Sequence, residues 1–203
     1  MNTQSGRSMV EMLGVLAIIG VLSVGAIAGY SKAMMKYKLN KQAEQINQVV
    51  NAVSQYHDQI KSDTVISLVP IFKKINLIPV EMIKDDSYSI YDIFGNKIRI
   101  TSYKYHEFYV ANLSYDIDLT NQNNMEVCRN IINTIKENSQ SIYYLETIAD
   151  WNTENAKQKL LYGDAYCNKY RRCLNTVSVN DTDNICRGYE KNEDASMIVW
   201  WRS

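Results

Sequence analysis

Four cysteines are the residues whose type and spacing most directly suggest chemistry. Cys128, Cys167, Cys173 and Cys186 lie in the C-terminal half of the 203-residue chain, separated by 39, 6 and 13 positions. An even number of cysteines in an exported domain predicts two disulfide bonds, and four cysteines allow three pairings. A zinc site would instead need closely spaced C-x2-4-C pairs or neighbouring histidines, and the sequence has neither. We therefore expect disulfides and no metal.

Enzymatic chemistry has little support in the sequence. His57 falls on a helix-like stripe and His106 in a strand-like segment, so no Ser/His/Asp set follows from the spacing. Asp181 and Asp183 lie in the polar run Val179–Cys186, which predicts a loop that is either solvated or able to hold calcium. The formal net charge is zero and no dense basic run occurs, which disfavours nucleic acid as a partner. We expect no catalytic residue and no cofactor.

A single carboxylate, Glu11, stands at the edge of a long apolar segment. The segment Met12–Tyr30 contains 19 residues and no charge. As a helix it would be about 28 Å long, close to the hydrocarbon thickness of a bilayer. A carboxylate at that edge costs several kcal/mol unless it is paired or reaches water. Arg7 lies four residues earlier and could be a local partner; a group on another chain is the alternative.

The same segment could also be a signal peptide or a buried core helix. A signal peptide has a shorter apolar run and ends at a cleavage site, whereas this run continues into a polar helical pattern. A core helix rarely runs this far without a charge. The continuation has no Gly or Pro from Ser31 to Lys61, and it carries one apolar stripe: Leu39, Ala43, Ile46, Val50, Val53, His57 and Ile60. We therefore expect one long helix that is first membrane-embedded and then amphipathic.

This N-terminal pattern resembles the class III signal of type IV pilins and pseudopilins. The resemblance is carried by Gly6, by Glu11 at the fifth position after it, by the block EMLGVLAIIGVL and by Tyr30. It implies cleavage after Gly6 by a prepilin peptidase and methylation of the new N-terminal amine at Arg7. It also implies that Glu11 pairs with the amine of a neighbouring subunit in a filament.

Three positions depart from the pattern of that family. Arg7 stands where Phe or Met is usual, Ala28 replaces a common helix-kinking proline, and the leader MNTQSG lacks Lys and Arg. Arg7 itself could favour the cytoplasmic side of the membrane for the N-terminus. The chain then divides into a leader (1–6), a transmembrane and assembly helix (7–30), an amphipathic continuation (31–62) and a globular head domain (63–203).

The predicted fold class is α+β, with the long N-terminal helix packed on a small antiparallel sheet. A turn at Gly95-Asn96 separates apolar runs of the strand type, and short helical turns are expected around Pro70 and Pro79. Strands are also predicted at Lys97–Thr101, Glu107–Leu113 and Ala195–Trp201. One helix is predicted to start at Asn124 and a second to span Thr153–Tyr162.

A bond between Cys167 and Cys173 would require a segment that is not regular helix, because six helical positions separate Cα atoms by about 9 Å.

The head domain is similar to that of type IVb pilins, including the PilS-like and toxin-coregulated groups. The similarity rests on the runs NLIPVEMI, IYDIFGNKIRI, FYVANL and MEVCRNIINTI. It implies a bond between Cys128 and Cys186, which leaves Cys167 and Cys173 to pair locally.

The resemblance predicts a structural subunit of a type IV pilus-like filament that supports adhesion, aggregation or conjugation. Its partners would be copies of itself, the prepilin peptidase, the pilus assembly machinery and the bacterial inner membrane. The head would be extracytoplasmic before assembly and would lie on the cell surface afterwards. The alternatives are a pseudopilin of a type II secretion machine and a minor pilin or membrane-anchored ligand-binding protein, which copy number and fibre length would distinguish.

Overall fold

The computed structural model describes residues 5–117, 124–148, 159–189 and 196–203, and it has an α+β fold. Its helices are α1 (Ser5–Tyr56), α2 (Val69–Lys74), α3 (Asn124–Glu137) and α4 (Val179–Tyr189). Its strands are β1 (Ile66–Ser67), β2 (Ser89–Tyr91), β3 (Lys97–Tyr105), β4 (Phe108–Asp116), β5 (Tyr144–Ile148), β6 (Lys159–Tyr162) and β7 (Ser196–Arg202). Short 3-10 turns lie at Val80–Met82 and Leu174–Thr176.

The strands form one antiparallel sheet with seven strands in the described residues. Its order is β1-β3-β4-β7-β5-β6, and β2 shares the outer edge of β3 with β1. At the centre, Leu113 on β4 lies opposite Ile100 on β3 and Val199 on β7. The C-terminal strand is therefore inserted in the middle of the sheet, where it is hydrogen-bonded to β4 and β5.

The second half of α1 forms the core with one face of this sheet. Ile46, Val49, Val50 and Val53 are fully buried, as the helical spacing of apolar residues predicts. On the sheet side, the indole of Trp201 donates a hydrogen bond to the Ser54 hydroxyl at 2.9 Å. The expected packing of a long helix on an antiparallel sheet is therefore confirmed.

The amphipathic part of α1 ends earlier than predicted. The helix stops at Tyr56, whereas the sequence placed its end near residue 62. Val53 is the last fully buried residue on the stripe, and His57 and Ile60 beyond it are only partly buried. The chain then turns with a bond from the Gln59 amide to the Tyr56 carbonyl, and Ser102 on β3 donates to the Ile60 carbonyl.

Two other local predictions are wrong. Lys159–Tyr162, predicted as the end of a helix, forms β6 because it pairs with β5, while 153–158 lie outside the described residues. Val179–Cys186, predicted as a loop, belongs to α4. Its start is a capping box: the Asp181 amide donates to the Ser178 hydroxyl, and the Asp181 carboxylate accepts from the Ser178 amide. The S-x-x-D spacing was the signal for a helix.

The other predicted elements are present in the structure. Gly95 adopts φ 89° in the turn between β2 and β3, a conformation that favours glycine. The predicted strands at Lys97–Thr101 and Glu107–Leu113 are the hairpin β3–β4, and the closing strand is β7. The two proline segments form α2 and the first 3-10 turn.

Candidate functional site

The first part of α1 is an exposed apolar surface. Every described side chain from Met9 to Ala33 is exposed, and the most apolar window of the helix has a mean hydropathy of 2.4 with none of it buried. Among the described residues, this is the one helix long and apolar enough to cross a membrane. A buried core helix is therefore not its role in the head domain. An apolar helix of this length could anchor the protein in a membrane.

Glu11 is placed within that apolar surface. Its side chain is exposed and lines a shallow recess with Met12, Val15 and Leu16. The backbones of Gly6 and Arg7 belong to the same helix, so Gly6 lies about 7.5 Å before Glu11 along its axis. The local pair of Arg7 and Glu11 and the start of the leader lie outside the described part of the chain. Because the carboxylate is exposed, an amine brought beside it could form an ion pair with it.

The cysteines form two disulfides, one between residues far apart in the sequence and one between residues close together in it. Cys128 on α3 is bonded to Cys186 on α4, with a Cα–Cα distance of 5.8 Å and both residues buried. This is the pairing that the family resemblance implied. Cys167 is bonded to Cys173 at a Cα–Cα distance of 4.9 Å, and the segment between them is a tight turn and not a regular helix, as expected for such a bond. The long bond holds the two helices together, and the short one closes a surface loop.

A buried polar cluster around Asp92 was not predicted. Its carboxylate accepts hydrogen bonds from the Phe94 and Asn96 amides, the Gln42 side chain and the Tyr115 hydroxyl. Burial, followed by the nearby Asp92 charge, raises the pKa of Tyr115 well above its ordinary value, so its hydroxyl stays a donor. The cluster ties α1 to the β2–β3 turn and to β4.

The same cluster extends to α3 through the side chain of Gln42. Asn130 donates to the Gln42 amide oxygen and to the Leu39 carbonyl, both at 2.8 Å, and Gln45 accepts from the Ile93 amide at 3.0 Å. Gln42 and Gln45 are buried on the core face of α1. The two glutamines on the apolar face of α1 could have indicated this cluster in the sequence, because buried side-chain amides need hydrogen-bond partners.

The acidic residues considered for calcium are bonded to arginines instead. Asp181 accepts from Arg172, and Asp183 accepts from Arg129, each at 2.6 Å. Bonds from Arg172, and then from Ser178, lower the pKa of Asp181 far below its ordinary value. No group of three or more His, Cys, Asp or Glu side chains able to hold a metal occurs in the described ranges.

The two histidines occupy structural positions within the described residues. His57 lies just past α1, where Nδ1 is 2.9 Å from the Ser54 carbonyl oxygen. His106 lies in the turn between β3 and β4 with φ 54°, and its ring contacts Tyr105. Neither arrangement joins a histidine to a nucleophile.

The pKa of a surface carboxylate at the β2–β3 edge, that of Asp86, is also strongly lowered. The Tyr88 backbone amide, followed by Ser89 and Lys97, lowers the pKa of Asp86 from its ordinary 3.8 to about 2. Lys97 lies 3.4 Å from it. These bonds hold the segment before β2 against the sheet.

None of the family models, curated proteins or solved structures compared with this chain matches it. The residues themselves therefore carry the functional information: an exposed apolar helix with one acid near its start, and a disulfide-bonded α+β head domain.

Proposed function

We propose that this chain is a structural subunit of a type IV pilus-like surface filament. In this proposal it is cleaved after Gly6 and assembles through the apolar first half of α1. The observation that carries it is the position of Glu11, five residues after Gly6, in a recess of an exposed apolar helix surface.

The apolar surface is suited to two successive environments. Before assembly, a 19-residue uncharged segment is long enough to hold the subunit in the inner membrane. After assembly, the same surface would be covered by equivalent helices of other subunits, which are equally apolar. No new surface is needed for the transfer, so the exchange of lipid for protein costs little.

Glu11 would make the packing of helices specific. An unpaired carboxylate among apolar helices is destabilising, whereas a charged N-terminal amine on the next subunit would compensate for it. Only one axial offset between helices brings the two groups together. Cleavage after Gly6 would supply that amine on Arg7.

The head domain is compatible with exposure on the outside of the cell. Two disulfides are characteristic of an oxidising compartment, and both lie in the head. The core residues of α1 begin at Gln42, beyond the apolar segment, so burial of the head core uses none of the described side chains from Met9 to Ala33. The apolar helix remains available for assembly.

The decisive experiment is the mass of the N-terminal peptide from sheared cell-surface material, prepared with and without the prepilin peptidase. We expect a peptide that starts at Arg7, is methylated, and depends on the peptidase and on Gly6. An intact Met1, or loss of the whole apolar run, would refute the proposal and indicate an anchor or a signal peptide.

Substitution of Glu11 tests assembly separately from processing. Glu11→Ala should be cleaved normally but should yield few sheared filaments. Glu44→Ala is the matched control, because Glu44 is an exposed acid on the same helix. Normal filaments from Glu11→Ala would contradict the assembly role. Cleaved subunits that form only short periplasmic fibres would instead identify a pseudopilin, and low copy number in long fibres would identify a minor pilin.

A further inference from the structure

The face of the sheet opposite α1 carries a connected group of aromatic side chains. Trp201 faces α1, so its neighbour Trp200 on β7 faces the other way. Rings around Trp200 form what we call the aromatic face: Tyr103, Tyr105, Tyr143, Tyr144, Tyr162 and Trp200. Adjacent ring centroids lie 5.5 Å apart for Tyr144 and Trp200 and 5.7 Å apart for Tyr144 and Tyr162. All six side chains are at least partly exposed.

Most tyrosine hydroxyls of the aromatic face have no hydrogen-bond partner among the described residues. This applies to Tyr105, Tyr143, Tyr144 and Tyr162, whereas the Tyr103 hydroxyl accepts from Asn112. The indole of Trp200 donates to Glu146 at 2.8 Å, which fixes the ring. The face therefore combines apolar rings with hydroxyl groups that solvent, or a ligand, can reach.

Two arginines lie directly against these rings. The guanidinium of Arg171 is 5.1 Å from the centroid of Tyr162, and that of Arg202 is 5.7 Å from Tyr143 and 3.5 Å from Phe108. Within the described residues neither has a carboxylate within 4.0 Å. By contrast, Arg99 on the same sheet face is bonded to Asp116 at 2.9 Å. The positive charge at the aromatic face thus lacks a partner in the described chain.

The short disulfide and nearby hydrogen bonds hold the backbone at Arg171 in place. Asn168 and Arg171 exchange two backbone hydrogen bonds of 3.0 Å across the tip of the loop closed by Cys167 and Cys173. The Tyr162 amide donates to the Arg172 carbonyl at 2.8 Å, which joins the loop to β6. The loop backbone is therefore fixed beside the aromatic face, so little backbone entropy is lost when this surface binds a ligand.

We propose that this surface binds an acidic polysaccharide, a chain of sugar rings that bear carboxylates. The C–H faces of sugar rings pack on aromatic rings, sugar hydroxyls bond with tyrosine hydroxyls, and carboxylates bond with guanidinium groups. Charge complementarity selects an anionic ligand, and the abundance of hydroxyls selects a sugar. The proposal does not depend on filament assembly, because every group in it belongs to the head domain.

Single-stranded nucleic acid fits the same surface less well. Successive bases need open ring faces to stack on, but the rings here meet edge-on, at 76° for Tyr143 with Tyr162 and 72° for Tyr103 with Trp200. The Glu146 carboxylate beside Trp200 would also repel phosphates. Glu146 would repel the carboxylates of an acidic sugar as well, but the hydroxyls of the sugar can donate hydrogen bonds to it, which phosphates cannot do.

The test is binding of a galacturonate hexamer to the full chain in detergent micelles, measured by calorimetry beside a neutral galactan hexamer and an oligothymidylate. We expect the galacturonate to bind tightest and to weaken as ionic strength rises from about 0.05 M to about 0.5 M. Arg171→Gln should weaken it about fivefold, a typical loss for one exposed charge-assisted contact. Arg99→Gln, the matched control, should leave it unchanged.

A second variant separates the rings from their hydroxyls. Tyr143→Phe combined with Tyr162→Phe keeps the aromatic packing, so the fold is retained, but it should weaken both sugar hexamers about equally. The proposal is overturned by absent galacturonate binding, by equal affinity for the neutral hexamer, by tighter binding of the oligothymidylate, or by equal effects of the two arginine variants. Binding by a subunit that retains Met1 would leave this proposal standing while the filament proposal fails.

Discussion

Removal of the Cys128–Cys186 bond should destabilise the head domain much more than removal of the Cys167–Cys173 bond. The first bond has a sequence separation of 58, for which the loss of loop entropy in the unfolded chain corresponds to roughly 4 kcal/mol. The second has a separation of 6, which corresponds to roughly 2 kcal/mol. The loss of packing acts in the same direction, because Cys128 and Cys186 are buried.

The assay is urea unfolding of the full chain in a non-ionic detergent, followed by the fluorescence of its three tryptophans, of which Trp200 and Trp201 lie in β7. Each pair is replaced by alanine, as Cys128→Ala with Cys186→Ala and as Cys167→Ala with Cys173→Ala. We expect the free energy of unfolding to differ between the two double variants by about 2 kcal/mol. Reductant should lower the stability of the wild type but leave a variant without any cysteine unchanged.

Two results would refute this reasoning. If the two double variants were equally stable, loop length would not control the contribution of these bonds. If reductant left the wild type unchanged while the alanine variants lost stability, the effect would come from packing and not from the covalent bond.

Individual side chains give three more predictions. Tyr115→Phe removes a buried donor from Asp92 and should lower the free energy of unfolding by about 1–3 kcal/mol in urea unfolding; an unchanged midpoint would show that the carboxylate is satisfied without it. Gly163→Ala brings a Cβ into steric conflict with the Ile142 carbonyl oxygen and to 2.7 Å from that of Ser139. It should cost at least about 2 kcal/mol of stability and lower the melting temperature accordingly; a wild-type melting temperature would contradict the close approach. The folded-state pKa of Asp86 is about 2, below its ordinary 3.8, so its contribution is present above pH 3.8 and is lost as the pH falls toward 2. Asp86→Asn should therefore flatten the decrease of stability over that pH window, and an unchanged acid titration would exclude this role.

The elements predicted correctly are those whose signal is contained in consecutive residues. The uncharged run Met12–Tyr30 is apolar whatever surrounds it, and the stripe from Leu39 to Val53 has helical periodicity. The turn at Gly95 and the strands of the β3–β4 hairpin also follow from neighbouring residues. The spacing of Gly6 and Glu11 is also a local signal, and the assembly site that it implies stays a prediction.

The elements that were missed depend on contacts between distant parts of the chain. Lys159–Tyr162 is a strand because β5 offers it hydrogen-bonding partners, although its composition also suits a helix. Gln42 is a polar residue on an apolar stripe, and its burial makes sense only with Asp92, 50 positions away, beside it.

Composition and periodicity are local properties of the sequence. They were sufficient to predict the apolar helix, the acid at its edge, the α+β class and the presence of two disulfides. Which side chains lie together depends on the folded chain. Folding joins Arg171 to Tyr162 and places Trp200 among the tyrosines, because the order and register of the strands set these neighbours. The aromatic face is therefore a product of strand pairing, which no single segment of the chain encodes.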